Sequence, residues 1–216
     1  MLLYRDEFLL FASKPPGIPV HETKDPNRNN FTSYLQKKYH IPYIRTLNRL
    51  DLDTSGIVAF GLSESLNREY DEILKKAEKE YILIVEGLVK EKQFRIESFL
   101  KDGNRRVKTV FSGGKKAITE FELLYSDSKK NYSVLRAKLI TGRRHQIRIH
   151  IFEKGHPILG DRVYTGNTSA GKAYRQLLHA YQLKFKDLQE QVHKVIAPIP
   201  EDMISYTNHI EFEKFI

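Results

Sequence analysis

Short runs of aliphatic and β-branched residues, each ended by a turn, constrain the fold of this chain more than any other feature. Three of these runs read GIVAFGL, KEYILIVEGLV and NYSVLRAKLITG. A fourth, Phe8 to Ala12, is closed by Lys14-Pro15-Pro16-Gly17, where proline cannot donate to a ladder and glycine favours a turn. Val107 to Leu124 predicts two more strands around Gly113-Gly114. The chain is therefore predicted to be rich in strands.

Two amphipathic segments predict helices. Asn30 is a favoured N-cap before FTSYLQKKYH, and Ser63 is a candidate cap before ESLNREYDEILKKAE. Apolar and aromatic residues recur at helical spacing in both segments and are expected to face inward. These residues are Phe31, Tyr34, Leu35 and Tyr39 in the first segment, and Leu66, Tyr70, Ile73, Leu74 and Ala77 in the second.

Three later segments are harder to assign. In RRHQIRIHIF the alternation of Ile147, Ile149 and Ile151 favours a strand, but Ile147, Ile151 and Phe152 also fit one face of a helix. KAYRQLLHAYQLKFK combines a helical beginning with a strand-like second half. The tail VIAPIPEDM contains two prolines and is expected to be irregular.

The order of these elements predicts an α+β fold with a mixed, mainly antiparallel sheet and flanking helices and loops. Strands outnumber helices and do not alternate with them regularly, which disfavours a doubly wound sheet. The 216 residues contain no internal repeat and no linker rich in Gly, Ser or Pro. We therefore expect residues 1–216 to form a single domain.

Charge and composition narrow the functional classes. The formal net charge of +9 favours a polyanionic partner such as RNA. The chain contains no cysteine, which excludes disulfides, cysteine-ligated zinc, iron–sulfur clusters and thiol catalysis. No apolar run is long enough to span a bilayer, and no signal core follows the N-terminus. We therefore expect a cytoplasmic protein that does not contact a membrane.

The segment NRLDLDTSG presents the most reactive candidate group. Asp51 and Asp53 follow Arg49 and immediately precede a buried strand, where an unpaired carboxylate is unfavourable. One interpretation is a loop-end aspartate in a structural salt bridge, and the other is a carboxylate nucleophile or base. A second cluster, TGRRHQIRIH, offers Arg143, Arg144 and Arg148, which could keep Asp51 ionised or bind phosphates.

Other candidate sites are weaker. The positions of His145, His150, His156 and Asp161 match no common zinc spacing, so we expect no metal. Ser55 lies in TSG and not in the G-x-S-x-G nucleophile elbow, which favours a local hydrogen-bonding role. We expect no nucleotide cofactor either, because the chain has no Walker A or GxGxxG motif.

Taken together, these segments resemble the RluA family of pseudouridine synthases. KPPGIPVH is similar to the family element KP-x-G-x-x-x-H, NRLDLDTSG to HRLD-x-x-TSG, and TGRRHQIRIH to TGR-x-HQIR-x-H. KEYILIVEG, GHPILGDRVY and LLHAYQLKF resemble further family segments in the same order. The resemblance implies the family fold, in which HQIRIH forms a helix, and it implies isomerisation of uridine to pseudouridine in RNA without a cofactor.

The resemblance also assigns roles to individual residues. Asp51 is the aspartate of RLD and hence the implied catalytic residue, Tyr81 would stack on the target base, and Arg148 would pair with Asp51. The residues implied to bind RNA or support the site are Arg49, Asn48, Arg143, His145 and Lys14. The implied partner is ribosomal or transfer RNA, with no protein partner and a monomeric state. Whether the aspartate attacks directly or removes a ribose proton stays open.

Asn48 stands where the family usually has histidine, and the family's common N-terminal S4 domain is not evident. Asn48 can donate and accept hydrogen bonds but cannot carry a charge. This difference keeps an alternative open, a non-catalytic RNA-binding protein on the same fold. A carboxylate-dependent RNA hydrolase is a further alternative.

Overall fold

A computed structural model describes residues 1–22, 25, 27–166, 173–208 and 210–214. The chain forms two compact units. The first unit consists of Met1–Lys79 and Ala180–Pro198, and the second consists of Glu80–His179 and Ile199–Ile216.

The described residues form strands, α-helices and two short 3-10 turns, the first of which is Glu64–Leu66. The strands are β1 (Leu2–Arg5), β2 (Leu9–Lys14), β3 (Arg45–Thr46), β4 (Ser55–Gly61), β5 (Glu78–Glu86), β6 (Gln93–Lys101), β7 (Lys108–Val110), β8 (Lys115–Asp127), β9 (Tyr132–Leu139), β10 (Leu178–Lys186) and β11 (Val192–Ile196). The α-helices are α1 (Phe31–Lys38), α2 (Asn67–Lys76), α3 (Gln146–Glu153), α4 (Arg162–Thr165) and α5 (Glu201–Tyr206).

In the first unit, the strands lie in the order β1-β2-β4-β10, with β3 on β4 and β11 on β10. The pairing of β2 with β4 is antiparallel and runs from Leu9 opposite Gly61 to Lys14 opposite Gly56. All residues of β4 are buried, as its continuous apolar run predicts. Helix α2 covers this sheet through Tyr70, whose hydroxyl donates to the carbonyl of Phe8 at 2.8 Å.

In the second unit, the strands lie in the order β5-β9-β8-β6-β7. The pairings of β9 with β8 and of β6 with β8 and β7 are antiparallel. Helix α3 packs Ile149 against Leu100, Val107, Ala117 and Tyr164, and this cluster fixes the helix on the sheet.

The predicted α+β class with mainly antiparallel strands is confirmed. The strand predicted over Phe8 to Ala12 is observed as β2, and the two strands predicted around Gly113-Gly114 are β7 and β8. Asn30 caps α1 as predicted, since its Oδ1 accepts a hydrogen bond from the amide of Ser33 at 2.9 Å. The ambiguous HQIRIH segment is helical, as the resemblance implied.

Several local predictions were wrong. Tyr34 does not face inward: it is 49% exposed, and its hydroxyl accepts a hydrogen bond from Lys38 on the solvent side of α1. Ser63 makes no capping bond to the backbone, because a 3-10 turn separates it from α2, and its hydroxyl bonds to Ser65 instead.

The C-terminal segments also differ from expectation. The tail is regular on both sides of its prolines, with β11 before them and α5 after them. The helical beginning predicted for KAYRQ is absent from residues 173–176, and Lys172 lies outside the described residues. Strand β11 pairs along β10, so sheet pairing determines a segment whose local sequence is ambiguous.

Within the described residues, no helix has both the length and the apolar character needed to cross a bilayer.

Candidate active site

Asp51 lies in a tight turn that leads into β4 in the first unit. The amide of Thr54 donates to the carbonyl of Asp51 at 3.1 Å, which closes the turn. Leu50 before Asp51 is buried, and Thr54 and Ser55 after it are 2% and 3% exposed, whereas Asp51 itself is half-buried. The turn thus anchors both flanks of Asp51 in the core, while Asp51 itself is only half-buried.

Lys14 holds this turn from the side. The residue is 1% exposed, and its ammonium donates to the carbonyls of Pro15, Ile18 and Leu52 at 2.9, 3.0 and 3.0 Å. The amide of Gly17 donates to the same carbonyl of Leu52 at 3.0 Å. Since a buried ammonium needs such acceptors, Lys14 ties the proline-rich turn to the residue next to Asp51.

Asn48 anchors the beginning of the same loop. Its Nδ2 donates to the carbonyl of Ile57 at 3.2 Å, and its Oδ1 accepts from the amide of Ala59 at 2.7 Å. Both partners are backbone groups of β4, so the amide side chain fixes the loop on the strand without any charge. Arg49, the next residue, is exposed.

The backbone conformation of Gly56 explains why the TSG sequence after Asp53 ends in glycine. Its φ of +110° is unfavourable for residues with a side chain, and an added Cβ would lie 2.2 Å from the carbonyl oxygen of Ala180. β4 and β10 therefore approach closely at this point. Ser55 is buried within β4, which agrees with a local role and not with an exposed nucleophile.

In the second unit, a hydrogen-bond network fixes the beginning of α3. The Oε1 of Gln146 accepts from the amide of Arg143 at 3.0 Å and from the hydroxyl of Thr141 at 2.7 Å. Its Nε2 donates to the carbonyl of Ile118 at 2.9 Å. The TGRRHQ segment is therefore bound to β8 at its first turn, and Arg143 itself is exposed.

His145 occupies a strained position at the N-cap of α3. Its φ of 52° and ψ of 17° lie in the left-handed region, which is uncommon for a residue other than glycine. Its Nδ1 lies 3.3 Å from the hydroxyl of Tyr164, and the two rings meet edge to face. Such strain persists where the surroundings determine it, and it is often found at functional sites.

Arg148 is held in place by Asp161. The Nε of Arg148 donates to Oδ2 and its Nη2 to Oδ1, both at 2.8 Å, and the two side chains are 5% and 2% exposed. The guanidinium also lies over the ring of Tyr164, 5.5 Å from its centre. This bidentate, buried geometry leaves Arg148 little rotational freedom.

His150 on α3 is a structural histidine. It is 1% exposed, and its two ring nitrogens share hydrogen bonds of 2.9 Å with Ser98 and with Thr119. Burial lowers its pKa to about 4, so the ring is neutral at physiological pH. Among the described residues, no three His, Cys, Asp or Glu side chains group as a candidate metal site.

The structure thus gathers Lys14, Asn48 and Asp51 around one loop of the first unit. In the second unit it gathers Arg143, His145 and Arg148 around the beginning of α3, while Tyr81 is a buried residue of β5. The pairing of Arg148 with Asp161 was not predicted from the sequence. Asp161 stands in the segment GDRVY, where two charged residues separate a glycine from apolar residues, but this pattern does not identify Arg148 as its partner.

The chain is similar to known proteins in sequence and fold. A family model described as RNA pseudouridylate synthase matches residues 9–152. The chain is 31% identical over 211 residues to the RNA pseudouridine synthase YhcT of Bacillus subtilis (strain 168), covering 94% of this chain and 69% of that protein. It is also 31% identical over 189 residues to the dual-specificity RNA pseudouridine synthase RluA of Escherichia coli (strain K12), covering 85% of each.

A solved structure extends the similarity to the fold. Human RNA pseudouridylate synthase domain containing 4 superimposes with a TM-score of 0.78 at 19% identity, covering 96% of this chain and 92% of that one.

Proposed function

The chain belongs to the RNA pseudouridylate synthase family, and we propose that it isomerises uridine in RNA by means of Asp51. The observation that carries the proposal is the position of Asp51 inside the matched region, on a turn whose two flanks are buried. Tyr81 and Arg148 also fall within residues 9–152. Uridine isomerisation in RNA is the activity that the family and its relatives support.

The reaction balances without an added reactant. The bond between N1 of the base and C1′ of the ribose breaks, the base turns, and a bond forms between C5 and C1′. The hydrogen on C5 leaves to solvent, and N1 gains a proton. A carboxylate can assist in two ways, by attack at C1′ or by removal of a ribose proton from C2′. Both ways require the carboxylate form of Asp51.

We assign supporting roles to the second unit. Arg148 would orient the carboxylate of Asp51, and Asp161 is the residue that keeps Arg148 fixed. Tyr81 would stack on the target base once the base has left the RNA helix. Unstacking costs a few kcal/mol, and base–aromatic stacking together with basic side chains offsets it.

We also assign supporting roles to the remaining predicted residues. Lys14 and Asn48 position the loop, and Arg49, Arg143 and His145 are assigned to the RNA-facing surface. We propose that residues 1–216 act as one catalytic domain, as a monomer in the cytoplasm, on ribosomal or transfer RNA. Static light scattering of the protein at micromolar concentration would test the monomeric state.

Release of tritium from RNA labelled at uridine C5 tests the proposed function. Wild-type protein should release the label, and Asp51→Asn should reduce the rate by at least about 100-fold, as loss of a carboxylate that takes part in the reaction does. Asp53→Asn is the matched control, since it removes the same charge two residues away on the same turn and should retain activity. Equal release by wild type and Asp51→Asn would refute the assignment, and strand scission or a free base would indicate a hydrolase.

A further inference from the structure

A small basic pocket lies in the second unit, on the side of the sheet that carries α3. It has a volume of about 150 Å³ and is lined by Leu100, Asp102, Val107, Lys115, Gly142, Arg143 and Arg144. This volume is about ten times what one water molecule requires, so a hydrated oxyanion fits. Leu100 and Val107 are buried and form its apolar part. Three cations and a single carboxylate make up its charged lining.

The two arginines of the pocket are oriented in advance by backbone carbonyls. The Nε of Arg143 donates to the carbonyl of Lys116 at 3.1 Å. The guanidinium of Arg144 donates to the carbonyls of Gly103 and Arg105 at 2.8 and 3.1 Å. Bonds to neutral carbonyls hold both guanidinium groups without cancelling their charge. A guanidinium carries its N–H donors in a planar fork, and this fork suits a phosphate.

Lys115 and Lys116 are adjacent on β8 and point to opposite faces of the sheet, as side chains of a strand alternate. Lys115 lines the pocket, on the same face as the buried Ala117. Lys116 forms an ion pair with Glu97 on the other face. Both lysines are exposed. The strand therefore aims one lysine into the pocket and its neighbour away from it.

The carboxylate of Asp102 does not neutralise the pocket. Its side chain is 67% exposed, and its nearest approach to Arg144 is 3.8 Å, longer than a charge-assisted hydrogen bond. The positive charges of Lys115, Arg143 and Arg144 therefore favour an anion. Because the arginines also lie at the beginning of α3, whose Arg148 we assign to the active site, an anion bound here would be held by the same segment.

From this geometry we propose that the pocket of Lys115, Arg143 and Arg144 binds one phosphate group of the substrate RNA backbone. The inference rests on the proposed function, since it takes RNA as the substrate. Phosphate contacts set register and orientation on a nucleic acid and carry no base information. The pocket is therefore expected to raise affinity for every RNA substrate in the same proportion.

The salt dependence of RNA binding tests this proposal. Binding of wild type, Lys115→Ala and Lys116→Ala to bulk tRNA is measured by filter retention at several salt concentrations. The logarithm of the RNA association constant falls linearly with the logarithm of the salt concentration. Loss of one phosphate contact makes this negative slope shallower by about 0.7 to 0.9. Equivalently, the ratio of affinities at 50 and 200 mM salt falls by about threefold. We expect this change for Lys115→Ala and a smaller one for Lys116→Ala, although each variant removes one positive charge.

Two results would overturn the proposal. If both variants change the slope equally, the effect is long-range attraction and not a local contact. If titration with inorganic phosphate reveals a site that Lys115→Ala abolishes while the RNA slope is unchanged, the pocket binds free phosphate and not the RNA backbone. Equal thermal midpoints of the two variants would show that both are folded.

The binding assay needs no turnover, so its outcome is separate from that of the proposed function. A wild-type protein that releases no tritium but shows the Lys115-specific slope would retain the pocket and lose the catalytic assignment. If the wild-type protein releases tritium but both variants show the same salt slope, the catalytic assignment would stand and the phosphate pocket would be refuted.

Discussion

Replacement of Asp161 by asparagine removes the negative charge from a buried pair and keeps the size of the side chain. The carboxylate accepts two hydrogen bonds of 2.8 Å from Arg148, and neither side chain is more than 5% exposed. Its Oδ1 also accepts from the amides of Val163 and Tyr164, where Asp161 caps α4. Since asparagine caps a helix about as well as aspartate, Asp161→Asn isolates the loss of the charge pair.

The expected loss of stability is large because Arg148 stays buried without its counter-ion. Removal of one partner from such a pair costs about 3 to 5 kcal/mol. With a urea m-value of about 2 kcal/mol per molar, the unfolding midpoint should fall by about 1.5 to 2.5 M. Asp161→Ala also removes the helix cap and should lose about 1 kcal/mol more.

A second pair in the same unit supplies the matched control. Asp202 accepts two hydrogen bonds from Arg175, at 2.6 and 2.9 Å, but it is 40% exposed. Arg175 is itself only 2% exposed, but water can take the place of the exposed Asp202 carboxylate, and Arg175 retains its bonds to the carbonyls of Gln176 and Leu178. Asp202→Asn should therefore cost only about 1 kcal/mol and shift the midpoint by about 0.5 M.

Urea unfolding, monitored by far-ultraviolet circular dichroism, measures both midpoint shifts. We choose circular dichroism because the chain has no tryptophan whose fluorescence could report unfolding. Asp161→Asn should also lower kcat more than it weakens RNA binding, because Arg148 loses its orientation. Equal midpoint shifts for the two variants, or a shift below about 0.5 M for Asp161→Asn, would refute the reasoning from burial.

Two further predictions concern His150 and Gly56. The pKa of His150 is lowered from 6.5 to about 4, so below pH 6.5 the unfolded chain takes up a proton that the folded chain does not. The free energy of unfolding should therefore fall by roughly 2 to 3 kcal/mol between pH 7 and about pH 4.5. Urea midpoints measured across this pH range should show that His150→Asn lacks this fall. Identical pH profiles would contradict this. Gly56→Ala should lower the free energy of unfolding by more than about 1 kcal/mol, because the new Cβ would clash with the backbone of Ala180. The thermal midpoint should fall accordingly, and an unchanged midpoint would contradict the clash.

Local sequence was sufficient where a single segment determines the structure. The buried strand β4 and the cap at Asn30 follow from residues next to one another. Strand β6 was not predicted, although its less exposed residues Phe94, Ile96 and Leu100 alternate with exposed ones in the period-2 pattern of a half-buried strand. Its partner strands supply the pairing that stabilises it, and pairing between distant segments is not visible in a local pattern.

The candidate site shows the same limit. Asp51 could be identified from the RLD motif, and the role of Asn48 as a neutral hydrogen-bonding residue was anticipated. The partnership of Arg148 with Asp161 joins a helix to the cap of a later one, and no sequence spacing announces it. The pocket at Lys115 needs three separate segments to meet. Side-chain partnerships of this kind depend on tertiary packing.

The central claim is that the carboxylate of Asp51 carries the isomerisation. Its most direct test is single-turnover formation of pseudouridine, with enzyme in excess over tRNA and nucleosides separated by chromatography. We predict that wild type and Asp53→Asn form pseudouridine at similar rates while Asp51→Asn, still bound to the RNA, forms none above background. Pseudouridine formed by Asp51→Asn at the wild-type rate would contradict the account.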